Sequence, residues 1–217
     1  MNFFKISIPK SILPLTILAI MLNVLRVIIW GKLSFVYILW NIFLAFIPFI
    51  ISSLLSSYLK VEKFNKIIFI IGIIIWLLFI PNAPYIITDF IHLGEIHAVP
   101  ILYDVFLLFS SAAVGLFLGF HSFFHIEQII RTKYSLKVTS IMMSLIILLI
   151  SFGMYLGRFL RFNSWDIFIN HISLFKNIWK IFSKSSSQIE VYLYTLLFFF
   201  FLVLSYRSWK YSNIKGN

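Results

Sequence analysis

"PNAPYIITDFIHL", residues 81–93, does not fit its surroundings. It follows fourteen apolar residues, Ile67–Ile80, that read as a helix inside a membrane. Two prolines three apart, an aspartate and a histidine come next. Pro81 and Pro84 lack backbone donors, and each disfavours helix for the residue before it. The pattern predicts a helix break, with Asn82 as a cap or acceptor for freed backbone groups. A short amphipathic helix is expected beyond Pro84. On it Tyr85, Thr88, Asp89, His92 and Glu95 recur at spacings of three and four, along one face. Irregular backbone at membrane depth is tolerated where protein or a watery cavity surrounds it.

Composition decides the solvent. Across 217 residues, 61% are hydrophobic and 12% charged, and the mean hydropathy is +1.01. A soluble domain carries roughly a quarter charged residues, so this chain has too little polar surface for water. Spanning helices need about 20 apolar residues, and six blocks qualify or nearly so: 12–30, 35–59, 67–80, 103–121, 138–157 and 191–206. The third is short; it either starts earlier, near Phe64, or breaks before the far headgroups. The runs are continuous rather than alternating, which indicates helices and not a barrel. The expectation is an all-α, six-span protein forming one membrane domain over residues 1–217. The first block follows Lys5 and Lys10 without a small-residue cleavage site and reads as a retained anchor.

There is no cysteine, which excludes disulfide and thiol chemistry. The net charge of +11 arises from Lys and Arg in short loops, where they set orientation and meet anionic headgroups; nothing resembles a nucleic-acid module. An inside N-terminus places eleven basic residues on the cytoplasmic side and seven outside. The bias predicts both termini in the cytoplasm. Trp30, Trp40, Trp76, Trp165 and Trp179 then fall near the outer interface, as an aromatic belt would. Whichever way it faces, the loops after spans three and five share a side.

The second of those loops opens with "GRFLRFNSWD", residues 157–166. Arg158 and Arg161 stand one helical turn apart, suited to carboxylate or phosphate recognition or, more plainly, to snorkelling at the headgroups. Asn163 with Asp166 has the spacing of a helix-starting cap. The segment from Trp165 to Phe182 is amphipathic and is expected to lie flat in the interface, with "SKSSSQ", residues 183–188, as a flexible link to span six.

The ionisable residues admit competing readings. Asp89, His92, Glu95 and Asp104, with His97 nearby, have the donor chemistry of a divalent-metal site. Equally, Arg158 or Arg161 could reach across to Asp89 or Asp104, and Asp104 could serve the dipole of the helix it opens. Arg26, with Asn23 one turn earlier, could join them or snorkel beside Trp30. His121 and His125 have metal-like spacing, but no third ligand is evident. Ser111, Gly115 and Gly119, like Gly153 and Gly157, follow the small-xxx-small pattern of close helix packing.

Together the motifs "PNAPYIITDFIHL" and "GRFLRFNSWD" resemble a family of bacterial integral membrane proteins catalogued as domain of unknown function 1361. The resemblance covers most of the chain and implies a bacterial inner or cytoplasmic membrane. It brings no activity, substrate or cofactor. It points to Asn82, Pro84, Tyr85, Asp89, His92, Arg158, Arg161, Asn163, Trp165 and Asp166 without assigning any of them a role.

Three functions are compatible with these residues. The first expectation is binding or transport of a small anionic or lipid-headgroup ligand, at a polar site built from Asn82, Tyr85, Arg158, Arg161, Asn163, Trp165 and Asp166. The second is a membrane enzyme acting on an envelope lipid or glycan, with Asp89 and His92 as general base or metal ligands. The third is a non-catalytic subunit that docks a partner through the flat helix.

Overall fold

The computed structural model of the chain describes residues 9, 10, 12–59, 65–93, 99–183 and 185–215. Glu95, His97 and Lys184 lie outside the described residues. Those described are mostly helical, joined by short turns, with no strand among them. Among the described residues six helices are long and apolar enough to cross a membrane, and the chain is a multi-pass membrane protein. Cα packing divides it into two compact units, Met1–Ile126 and Glu127–Asn217.

In the first unit α1 spans Ile12–Trp30, the limits set by its apolar run. Gly31, at φ 62°, turns the chain out of it, a conformation that glycine adopts without a Cβ penalty. α2 spans Tyr37–Tyr58 and carries Pro48 within it. α3 spans Lys66–Phe79. It starts where Asn65 caps it, the side-chain oxygen accepting from the Ile67 and Ile68 amides at 2.9 and 3.4 Å.

The α-helix stops at Phe79, where the break is expected, but the backbone does not leave helical space. Ile80, Pro81, Tyr85 and Ile86 all keep right-handed helical backbone. The short α4, Asn82–Tyr85, passes directly into a 3₁₀ helix, Ile86–His92. The region from Lys66 to His92 is long and apolar enough to count as one span. Local bonds explain why two prolines are absorbed. The Ala83 amide shifts to the Ile80 carbonyl, 3.1 Å, and the vacated Phe79 carbonyl accepts from Asn82 Nδ2 at 2.9 Å. Asn82 thus donates to a freed carbonyl and caps no new helix.

α5 spans Ile101–Arg131, well past the His121 limit that hydropathy suggests, so His121 and His125 lie within it. Its glycines have a defined purpose. A Cβ on Gly115 would stand 2.2 Å from the Ala83 carbonyl oxygen, and one on Gly119 3.4 Å from the Ala83 Cβ. The proline-containing turn therefore rests on the small-residue stripe of α5. Trp76 is no belt tryptophan. It is buried, its indole donating to Ser122 Oγ at 2.7 Å while Ser122 Oγ donates to the Pro48 carbonyl at 3.1 Å. A buried indole takes a partner where it can find one, and α5 supplies it.

In the second unit α6 spans Leu136–Leu160, α7 Asp166–Ile169, α8 His171–Ser183 and α9 Ser185–Lys215. The serine-rich segment expected to be a link is helical from Ser185 onward and opens α9. Tyr155, Ile181 and Val191 form a buried cluster with Phe152, Leu156, Leu160 and Tyr194 against it. In both units large aliphatic side chains remain exposed along the spans, Ile28, Ile67 and Leu145 among them. Lipid solvates these faces as readily as protein would.

Candidate functional site

Among the described residues of the first unit two carboxylates are buried, each with its own partner. Asp104 sits in the first turn of α5, where the helix dipole favours a negative charge. Arg26 reaches it from α1 with a two-pronged contact, Nε to Oδ1 at 2.7 Å and Nη2 to Oδ2 at 3.1 Å. Both side chains are almost fully buried. Arg26 Nη1 also donates to the Lys32 carbonyl and to Ser34 Oγ, each at 3.2 Å, and the guanidinium lies 4.5 Å from the centre of the Phe35 ring. The turn at Gly31 makes this possible by folding residues 32–35 back over the arginine. Arg26 therefore does not snorkel, and its companion Asn23 donates to the Ala19 carbonyl of its own helix. Nearby, the Tyr103 hydroxyl donates to the Leu22 carbonyl at 2.6 Å.

Asp89 is buried in the 3₁₀ helix. It accepts from Asn41 Nδ2 of α2 at 3.0 Å. His92, half-buried, meets the Tyr37 ring edge-on at 6.3 Å between centres. Thr88 turns back to the Tyr85 carbonyl at 2.7 Å. Asp89, His92, Asn41 and Tyr37 thus form one polar cluster. Of these Asn41 and Tyr37 carry no motif signal in the sequence; they were legible only as residues near the start of a span. Among the described residues no three His, Asp or Glu side chains gather as a metal-binding group. His121 and His125 instead border Phe49 of α2, at 6.4 and 5.8 Å, and His125 Nδ1 shares a 3.1 Å hydrogen bond with Ser52 Oγ.

The second unit places the arginine motif at a helix end. Arg158 lies in the last turn of α6, and Arg161 lies just past its end in the left-handed conformation, φ 57° and ψ 33°. The Arg161 and Phe162 amides both bond back to the Leu156 carbonyl. The two arginines therefore do not continue one helical stripe, because the backbone reverses between them. Asp166 then ties the loop. Its Oδ2 accepts from the Asn163 amide at 2.6 Å and its Oδ1 from Asn170 Nδ2 at 2.9 Å, the reach-back of a capping box. The Asn163 amide above all, then the Asn170 and Asn163 side chains, hold the Asp166 carboxyl below its ordinary value, overcoming the opposing effect of burial. Trp165, immediately before α7, is half-buried.

One buried carboxylate escaped the sequence reading. Glu127 accepts from the Tyr206 hydroxyl at 2.6 Å and pairs with Lys210 Nζ. Tyr206 and Lys210 are four apart on α9, one face of a helix. An acid inside a long apolar helix is itself a flag, and that signal could have found it.

The profile of the family described as "Protein of unknown function (DUF1361)" matches residues 40–205. No curated protein and no solved structure matches the chain.

Proposed function

The chain belongs to the DUF1361 family, and from that premise we propose a membrane protein that binds or transports a small anion, free or as a lipid headgroup, through Arg158 and Arg161. The backbone of Arg161 carries the reading. Two positive-φ residues occur among those described, Gly31 and Arg161. α1 is closed by the residue that adopts this conformation freely, whereas α6 is closed by an arginine at a cost of about 1–2 kcal/mol. A strained non-glycine position that survives where glycine would serve is a mark of a side chain in use. The Arg161 side chain is exposed, and a guanidinium is a planar fork matched to phosphate or carboxylate oxygens. Asn163 and Asp166 fix the loop that follows it. We place the protein in a bacterial cytoplasmic membrane with both termini inside, on the excess of basic residues in the segments assigned to that side.

The test is ligand-induced thermal stabilisation of the full chain in detergent, titrated with inorganic phosphate and with glycerol phosphate. Saturable stabilisation by either is expected in the wild type, weakened in Arg161→Lys and lost in Arg161→Gln. Equal stabilisation in all three proteins would sink the proposal. Uptake of labelled phosphate into proteoliposomes then separates transport from binding.

A further inference from the structure

α8 carries three faces of different chemistry. Leu174 and Ile181 are buried, and Ile181 clusters with Val191 of α9, against which α8 packs. At about 100° per residue Leu174 and Ile181 lie some 20° apart around the helix. Ile172, Phe175 and Trp179 occupy a second arc, centred roughly 145° from the first. All three are strongly exposed, Trp179 at 76%. Lys176, Lys180 and Ser173, likewise exposed, fill the third arc between them. A helix that meets protein on one side needs only one further environment if it is surrounded by water, or by hydrocarbon. This one has faces for both, which is the geometry of a helix lying along a membrane surface.

The lysines sit where that surface is charged. Lys176 lies about 40° around the helix from Ile172 and about 60° from Trp179, with Lys180 about 40° farther toward the polar side. No acidic residue occurs from His171 to Ser183 to compete for their charge. With Ile172, Phe175 and Trp179 in the acyl boundary, both ammonium groups stand at the depth of the lipid phosphates. We propose that this face of α8 is a binding site for anionic phospholipid, with Lys176 and Lys180 taking the phosphate and Phe175 and Trp179 taking the upper acyl chain. The site uses none of the residues assigned to the anion at Arg158 and Arg161 and stands independently of it.

The full chain reconstituted in bilayer discs of equal phosphatidylglycerol and phosphatidylcholine tests this, with retained lipid counted by native mass spectrometry after release. Wild type should retain phosphatidylglycerol preferentially. The double variant Lys176→Gln, Lys180→Gln should lose that preference by roughly 30-fold, from about one interfacial cation's attraction for each lysine. Lys176→Arg, Lys180→Arg should keep it. Unchanged retention in the glutamine variant overturns the proposal. A loss confined to Arg161→Gln also overturns it, and assigns the lipid to the arginine site instead.

Discussion

Gly115 of α5 approaches the Ala83 carbonyl so closely that a single added Cβ would stand 2.2 Å from that oxygen. The two backbones touch because neither carries bulk there. That contact, with the Asn82 bond to the Phe79 carbonyl, holds the proline turn in helical form.

Gly115→Ala should therefore destabilise the protein by about 1–3 kcal/mol, the usual cost of overpacking a tight contact. The obstacle is backbone, which cannot swing aside as a side chain does. Gly119→Ala, whose new Cβ would meet its nearest neighbour at 3.4 Å, should be close to neutral. Thermal unfolding of both variants in one detergent measures the difference; equal midpoints would refute the contact.

Removing one side of the Arg26–Asp104 pair leaves the other buried and uncompensated. Asp104→Ala is expected to cost about 3–5 kcal/mol. The double variant Arg26→Met, Asp104→Leu should recover much of the loss, since a packed apolar pair replaces a buried ionic one at little cost. A double variant less stable than Asp104→Ala alone would show that the contacts of Arg26 to Lys32 and Ser34 matter more than the charge pair.

Arg161→Gly separates conformation from chemistry. Relief of the left-handed strain should stabilise the protein by up to about 1–2 kcal/mol while anion-induced stabilisation disappears. A variant that is more stable and still responds to phosphate would leave the side chain without a role.

The Asp166 carboxyl titrates below its ordinary value of 3.8 because the folded loop donates hydrogen bonds to its charged form. Its contribution to stability is therefore complete above the unfolded pKa and is lost as pH falls through the lower, folded one. The Asn163 amide, followed by NMR with selective labelling, should shift with a midpoint below 3.8. Asp166→Asn should abolish the movement. A titration midpoint at or above 3.8 would contradict the hydrogen-bonded loop.

The spans were legible because their limits are set by where apolar residues stop, and α1 ends at Ile12 and Trp30 on that ground alone. The family resemblance was legible from two motifs. What the sequence could not show was long-range partnership. Pro81 and Pro84 read as a break because their missing donors are local facts, whereas the repair depends on Asn82 and on the empty side of Gly115. Trp76 read as an interfacial residue because position along a span says nothing about which face meets Ser122. Arg26 read as a snorkelling residue because Asp104 lies seventy-eight positions away. Within the candidate site, the Asn163–Asp166 contact was within reach of spacing, although the residue that caps α7 is Trp165; the reversal at Arg161 was not, since arginine gives no sign of a left-handed turn.

A 3₁₀ helix has three residues per turn, so the segment from Ile86 to His92 is a three-sided rod rather than a cylinder. Ile86, Asp89 and His92 stack along one edge; Ile86 and Asp89 are buried and His92 is half-buried. Ile87 and Phe90, both half-buried, lead to Leu93 along the second edge, and Thr88 precedes the exposed Ile91 on the third. In an α-helix, residues three and four apart would have blurred into one broad polar stripe, with Tyr85, Thr88, Asp89 and His92 presented together. The tighter winding sorts them. It delivers the acid and the imidazole to the protein side in strict register and sends the threonine to another edge, so the change of pitch after Tyr85 acts as a selector of which side chains face inward.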